Sequence, residues 1–157
     1  MHPVARLRCL VLLLPVLLPA ASLAQRTSEG AVVKSEKAPV FSIVSPEQVS
    51  YTLSRGDAVA GMTEDFPNPT RWVFEASGSR VRVAYFRSDM PGKFVSGWME
   101  ARDLSPFVVD GSCDPGGAPF AMKDGKHSWN RCFEKARDER LAALRREWEK
   151  APAPKAP

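Results

Sequence analysis

Few residues in this chain are of types that do chemistry, and they are scattered. His127, the single histidine beyond the N-terminal segment, follows Lys126 and could serve as a base, but no orienting carboxylate is evident. It could act beside a serine or cysteine, but Cys132 is better used in a disulfide. Glu64 and Asp65 could act in a hydrolase or hold a cation. Adjacent side chains diverge, however, and no third acid follows at a calcium-loop spacing. A phosphate-cradling glycine loop, a zinc ligand set and a nucleophile elbow are all missing from the sequence. No catalytic residue, metal site or cofactor is expected, and the chain reads as a non-enzyme.

Binding is better supplied. Tyr51, Phe66 and Trp98 could converge beside an irregular loop over residues 61–69, with Glu64 and Asp65 as an acidic rim. Aromatic side chains bury area at low entropic cost while a charged rim sets preference, which suits a peptide ligand. The competing use of Tyr51 and Trp98 is to fill a small core; for Trp72, Phe74 and Tyr85 that use is favoured. A second surface is the C-terminal helix, where Leu141, Leu144 and Trp148 form a candidate partner-binding stripe or pack back onto the domain.

The ends bound the setting. Residues 1–24 have the three parts of a secretory signal: Arg6 and Arg8, an apolar run over 9–18, and Ser22 and Ala24 placed for cleavage before Gln25. An uncleaved anchor is the rival, but the run is short for a span and Pro15 and Pro19 interrupt it. A periplasmic or secreted protein follows, touching the membrane only through the signal. Removing Arg6 and Arg8 lowers the formal charge from +4 to +2, with no dense basic block, so no nucleic-acid partner is expected. Of the three cysteines, Cys9 goes with the signal, leaving Cys113 and Cys132. They are not spaced as a redox Cys-x-x-Cys pair, and in an oxidising compartment a structural disulfide contributing about 3 kcal/mol is expected.

Along the chain, residues 25–38 are polar with no apolar period and are expected to be a disordered leader. Val40, Phe41, Ile43 and Val44 read as a strand, broken at Ser45-Pro46-Glu47, and Val49, Tyr51 and Leu53 alternate in a second. Residues 72–76 and 80–85 form a hairpin around Ser77-Gly78-Ser79. In its return strand Val81, Val83 and Tyr85 face opposite to Arg80, Arg82 and Ala84. Phe94 to Trp98 continues as a strand, followed by one helical turn. Residues 110–126 read as a connecting loop. A helix over 129–150 follows, with Ser128 as N-cap and Cys132 stapling it back to the end of the strand-rich part. The alternating Ala/Pro segment 151–157 is expected to be extended.

This order, and the residues Gly56-Asp57, Glu75-Ala-Ser-Gly-Ser-Arg-Val-Arg-Val83 and Gly97-Trp98-Met99-Glu100-Ala101-Arg102-Asp103-Leu104, resemble a bacterial SH3-type domain over residues 39–107. The family's opening Asn-Val-Arg segment is absent, and Arg80 stands where it commonly has an aromatic. The resemblance implies a mainly β fold, an SH3-like barrel of about five strands over 39–110, here followed by a stapled loop and helix over 111–150. It also implies recognition of cell-wall peptide or an envelope protein, with Tyr51, Glu64, Asp65, Phe66, Arg80 and Trp98 as candidate ligand residues. The alternative is an interaction, inhibitor or accessory subunit acting through the helix.

Overall fold

The computed structural model describes residues 28–63, 72–110 and 117–150. Eight strands form one antiparallel sheet: β1 (Ser28–Val33), β2 (Lys37–Phe41), β3 (Val49–Ser54), β4 (Ala58–Gly61), β5 (Ala76–Ser77), β6 (Arg80–Phe86), β7 (Phe94–Glu100) and β8 (Leu104–Val109). A separate hairpin of β9 (Phe120–Lys123) and β10 (Lys126–Trp129) precedes α1 (Arg131–Lys150), the single α-helix among the described residues. The strand order is β3-β2-β7-β6-β4-β1-β8, with β5 paired to β6.

β1 runs into β2 through residues 34–36, and β3 into β4 through residues 55–57, so two bent ribbons pair along both arms. Their bends lie side by side, held by Val33 N–H to Asp57 O (2.8 Å) and Gly56 N–H to Val33 O (2.9 Å), while Lys34 N–H donates to Asp103 O (2.9 Å) in the turn before β8. Gly56 adopts φ +93°, a left-handed conformation that costs glycine little. The bending brings one face of the strands around a common core that includes Val33, Val40, Leu53, Val59, Tyr85 and Met99.

Two expectations are corrected here. The sheet does not close into a barrel: its hydrogen-bonded path ends at β3 on one side and β8 on the other. Residues 28–33 of the expected leader are a strand lying between β4 and β8. They show no alternation because β1 is covered on both faces, with Ala31 and Val33 in the main core and Val32 equally inaccessible on the other side. Glu29 is also employed: its carboxylate accepts the Phe74 N–H (2.8 Å) and its own N–H donates to Trp72 O (2.7 Å).

The reverse face of the sheet carries a second layer. The segment 110–126 expected to be a loop contains β9 and the first residue of β10, which continues to Trp129; the two strands turn through Asp124 (φ +51°) and Gly125 (φ +72°). Two successive positive φ values make the tight turn that matches strand twist, and Asp-Gly is a preferred pair for it. This hairpin lays Phe120 on Phe94 (4.4 Å between ring centroids) and Trp129 on Phe86 (4.8 Å). Trp129 then stacks on Phe133 of α1 (4.2 Å), and Phe133 meets Phe107 of β8 (5.1 Å). A run of aromatic rings thus ties sheet, hairpin and helix together.

Helix α1 starts two residues later than expected. Asn130, not Ser128, is its cap: Asn130 Oδ1 accepts the Phe133 N–H (2.8 Å), while Ser128 lies in β10. The expected strand over 72–76 is reduced to the two residues of β5, and Trp72 is instead buried with Met62 and Ala84. The expected helical turn is a short 3₁₀ segment, Ala101–Asp103.

Candidate functional site

Alternation along β7 separates its two faces. Met99 points into the main core, and a side chain at Gly97 would collide with Val40 Cγ1 at 2.5 Å; Trp98 and Glu100 therefore lie on the outer face. The register places Trp98 opposite Phe41 of β2 and Arg82 of β6, with Phe41 in turn opposite Val49. Val49 reaches this face because the register of β3 shifts between Val40 and Phe41. One end of the outer face is roofed by the β9–β10 hairpin. The other end is a groove.

Arg80 organises that groove. Its Nε donates to Glu100 Oε1 (2.9 Å), its Nη1 donates to Pro46 O (2.7 Å), and its guanidinium lies over the Phe41 ring (3.6 Å to the centroid). The β2–β3 tip is thereby held over the sheet, facing the β5–β6 turn at Gly78 (φ +60°). Between them lies a cavity of about 500 Å³ lined by Ile43, Pro46, Glu47, Ser77 to Arg80, Trp98 and Glu100. The hydrogen bond from Arg80, then one with Ser79, holds the Glu100 carboxyl below its usual range against a small opposing effect of burial.

A pH dependence follows from this shift. A carboxylate held low in the folded state stabilises above its unfolded value, about 4.3, and that contribution is lost as pH falls through the folded value. The Gly78 and Ser79 amide resonances should hold steady through neutral pH and move below the ordinary glutamate range. In Glu100→Gln that acid transition should vanish; its persistence would assign the transition to another group.

The expected site is only partly assembled. Arg80 and Trp98 come together, but the guanidinium of Arg80 is already engaged, so it is a strut and wall of the groove, not a free ligand-binding cation. Tyr51 does not join them. It shares the inner face with Leu53, stacks on Tyr85 (5.8 Å), exchanges a hydrogen bond with Ser88 Oγ (2.9 Å) and lies beneath Arg87 (4.8 Å). Its own cavity, about 370 Å³, runs between β3 and Phe86, Arg87 and Trp129. Glu64, Asp65 and Phe66 lie outside the described residues, as does Cys113.

On α1, Leu144 is 2% exposed, whereas Leu141, which packs toward Gly56, and Trp148, which lies under the Arg55 guanidinium (5.0 Å), are half-buried. Leu144 serves to dock the helix, and the other two keep part of their surface accessible. Cys132 packs in the same cluster as Phe133 and Ala136. His127 sets its ring edge-on to Phe94 (5.2 Å), a packing role. Among the described residues no group of His, Cys, Asp or Glu side chains is arranged to hold a metal ion.

Sequence reasoning missed Phe41, Ile43, Pro46 and Glu47 as parts of the groove. The breaker Ser45-Pro46-Glu47 was visible, but nothing local indicated that the tip folds over the sheet; that depends on Arg80, more than thirty residues away. Behind Trp98, Arg82 is buried on the same face, with Nη1 3.6 Å from Glu75 Oε2 and its guanidinium 5.9 Å from the indole centroid. Comparison with protein-family models, with curated proteins and with solved structures finds no match for this chain.

Proposed function

We propose that the protein is an exported, non-enzymatic binding module of the cell envelope, and that the Trp98 groove takes a cell-wall peptide or a short segment of an envelope protein. The observation that carries this reading is a half-buried indole at the base of an open groove whose one cation, Arg80, is offset by Glu100. Glu47 makes no ion pair among the described residues and leaves the groove acidic, which favours a ligand with an amino group. The resemblance to bacterial SH3-type domains supports a wall ligand, and the secretory signal over residues 1–24 supports a periplasmic or secreted location.

Titration of the mature protein with peptidoglycan fragments should shift the Trp98 indole resonance together with Ser77 to Ser79. Trp98→Ala should weaken binding by about 2 kcal/mol, roughly thirtyfold, as loss of a central aromatic does. Shifts confined to other regions, or none at saturating fragment, would refute the wall-ligand reading.

A Cys113–Cys132 bridge belongs to the same proposal, supported by the two remaining cysteines and the expected export. Under reductant, amide exchange in residues 131–150 should accelerate more than in β6 and β7. Uniform acceleration, or none, would count against the bridge.

A further inference from the structure

We infer that one face of the β9–β10 hairpin is a site for a soft monovalent cation, copper(I) or its chemical analogue silver(I), held between the His127 imidazole and the Met122 thioether. The two residues are directly opposite in the hairpin register. The backbone N–H of His127 turns away from Met122 and donates to Gly92 O (2.8 Å), which makes the pair one of the non-hydrogen-bonded kind. The bond from Asn130 N–H to Pro119 O (2.9 Å) fits the same phase, three positions along. In such a pair the Cα atoms are only about 4.5 Å apart and the side chains are at their closest. Both side chains lie on the face that carries Phe120 and Trp129, two residues away on each strand, while Lys123 and Lys126 alternate to the other.

Packing accounts for only part of this pair. The imidazole meets Phe94 edge-on (5.2 Å), which fixes the ring, but no hydrogen bond or ion pair occupies its nitrogens among the described residues. Met122 is 68% exposed, whereas Met62 and Met99 are inaccessible in the interior. Copper(I) takes thioether and imidazole donors and is satisfied by few of them. Calcium and magnesium demand a shell of oxygens, and structural zinc a closed tetrahedral set. No cluster of His, Cys, Asp or Glu side chains among the described residues supplies either. The donor pair therefore selects for softness, and the exposed thioether leaves the remaining side of the ion open to solvent.

The test titrates the mature full chain with silver(I) in chloride-free buffer and follows the Met122 ε-methyl and His127 ring resonances. Both should shift together as silver is added, and zinc(II) at the same concentration should leave Met122 unmoved. Met122→Leu changes an exposed side chain and should keep parent-like amide exchange in β9 and β10. It should nevertheless weaken silver binding at His127 roughly tenfold or more, and His127→Gln should do the same at Met122. Silver that reaches only cysteine sulfur, leaving both signals in place, overturns the inference. So does a His127 shift that Met122→Leu does not alter, which is an imidazole acting alone, or a zinc(II) response of Met122 equal to that of silver.

Discussion

Replacing Phe133 with alanine should destabilise the fold by about 3 to 5 kcal/mol, a large part of the roughly 5 to 15 kcal/mol typical of a domain. Phe133 is fully inaccessible and stands where three elements meet, between Trp129 of β10 and Phe107 of β8. Phe133 is the larger of the two buried side chains of α1, the other being Leu144, so its ring supplies a large share of the helix's apolar contact. The strand beneath is shaped to receive it: a β-carbon at Gly30 would come within 2.6 Å of both the Phe107 and Phe133 rings. Gly30→Ala should accordingly cost about 1 to 3 kcal/mol by overpacking. Denaturant unfolding gives both values, and amide exchange should show residues 131–150 losing protection before β6 and β7 in Phe133→Ala. A cost below about 1 kcal/mol, the range of an ordinary substitution, would mean that the helix does not depend on this ring.

Legibility in the sequence followed how many faces of an element are covered. In β6, the period of two in Val81, Val83 and Tyr85 correctly separated the faces, and Gly78 marked the turn. That period does not say what covers the other face, and there the Trp72 segment and the β9–β10 hairpin bury Arg82 and Ala84. β1 was invisible for the same reason in stronger form: with both faces buried it has no polar side to reveal a period. Sheet closure could not be read at all, since a hairpin's apolar face demands neighbours but does not say whether the last of them meet. At the site, alternation divides each strand into two faces, but the β6–β7 register is what puts Trp98 and Arg80 on the same one. Alternation also separates Tyr51 from Trp98, and only the register shift in β3, which no local residue pattern announces, brings Val49 to the outer side. The leucines of α1 were legible as a stripe; that Leu141 meets Gly56 and Trp148 meets Arg55 follows from where the two ribbon bends lie.

Glu75→Gln should lower stability by about 1 to 3 kcal/mol, more than a surface substitution and less than a fully buried pair would lose. Arg82 is 9% exposed, and its Nε and Glu75 Oε2 have no hydrogen-bond partner among the described residues; the two groups meet at 3.6 Å, too long for a good charge-assisted bond. Neutralising Glu75 leaves a desolvated guanidinium without its counter-charge. The carboxylate side chain is itself one-third exposed (33%), so solvent already screens part of the attraction and the loss is correspondingly reduced. The pair as a whole adds little to stability, because desolvating both ions offsets most of what they gain from each other. Glu75→Leu combined with Arg82→Met should therefore recover most of the stability lost in Glu75→Gln. The fold would survive, but the guanidinium beside the Trp98 indole would be gone. Ligand affinity at the groove should then fall in the double variant although its denaturation midpoint is near that of the parent, separating the positioning of Trp98 from the holding together of the sheet. Parent-like affinity in a stable double variant would show that Arg82 does not position the indole.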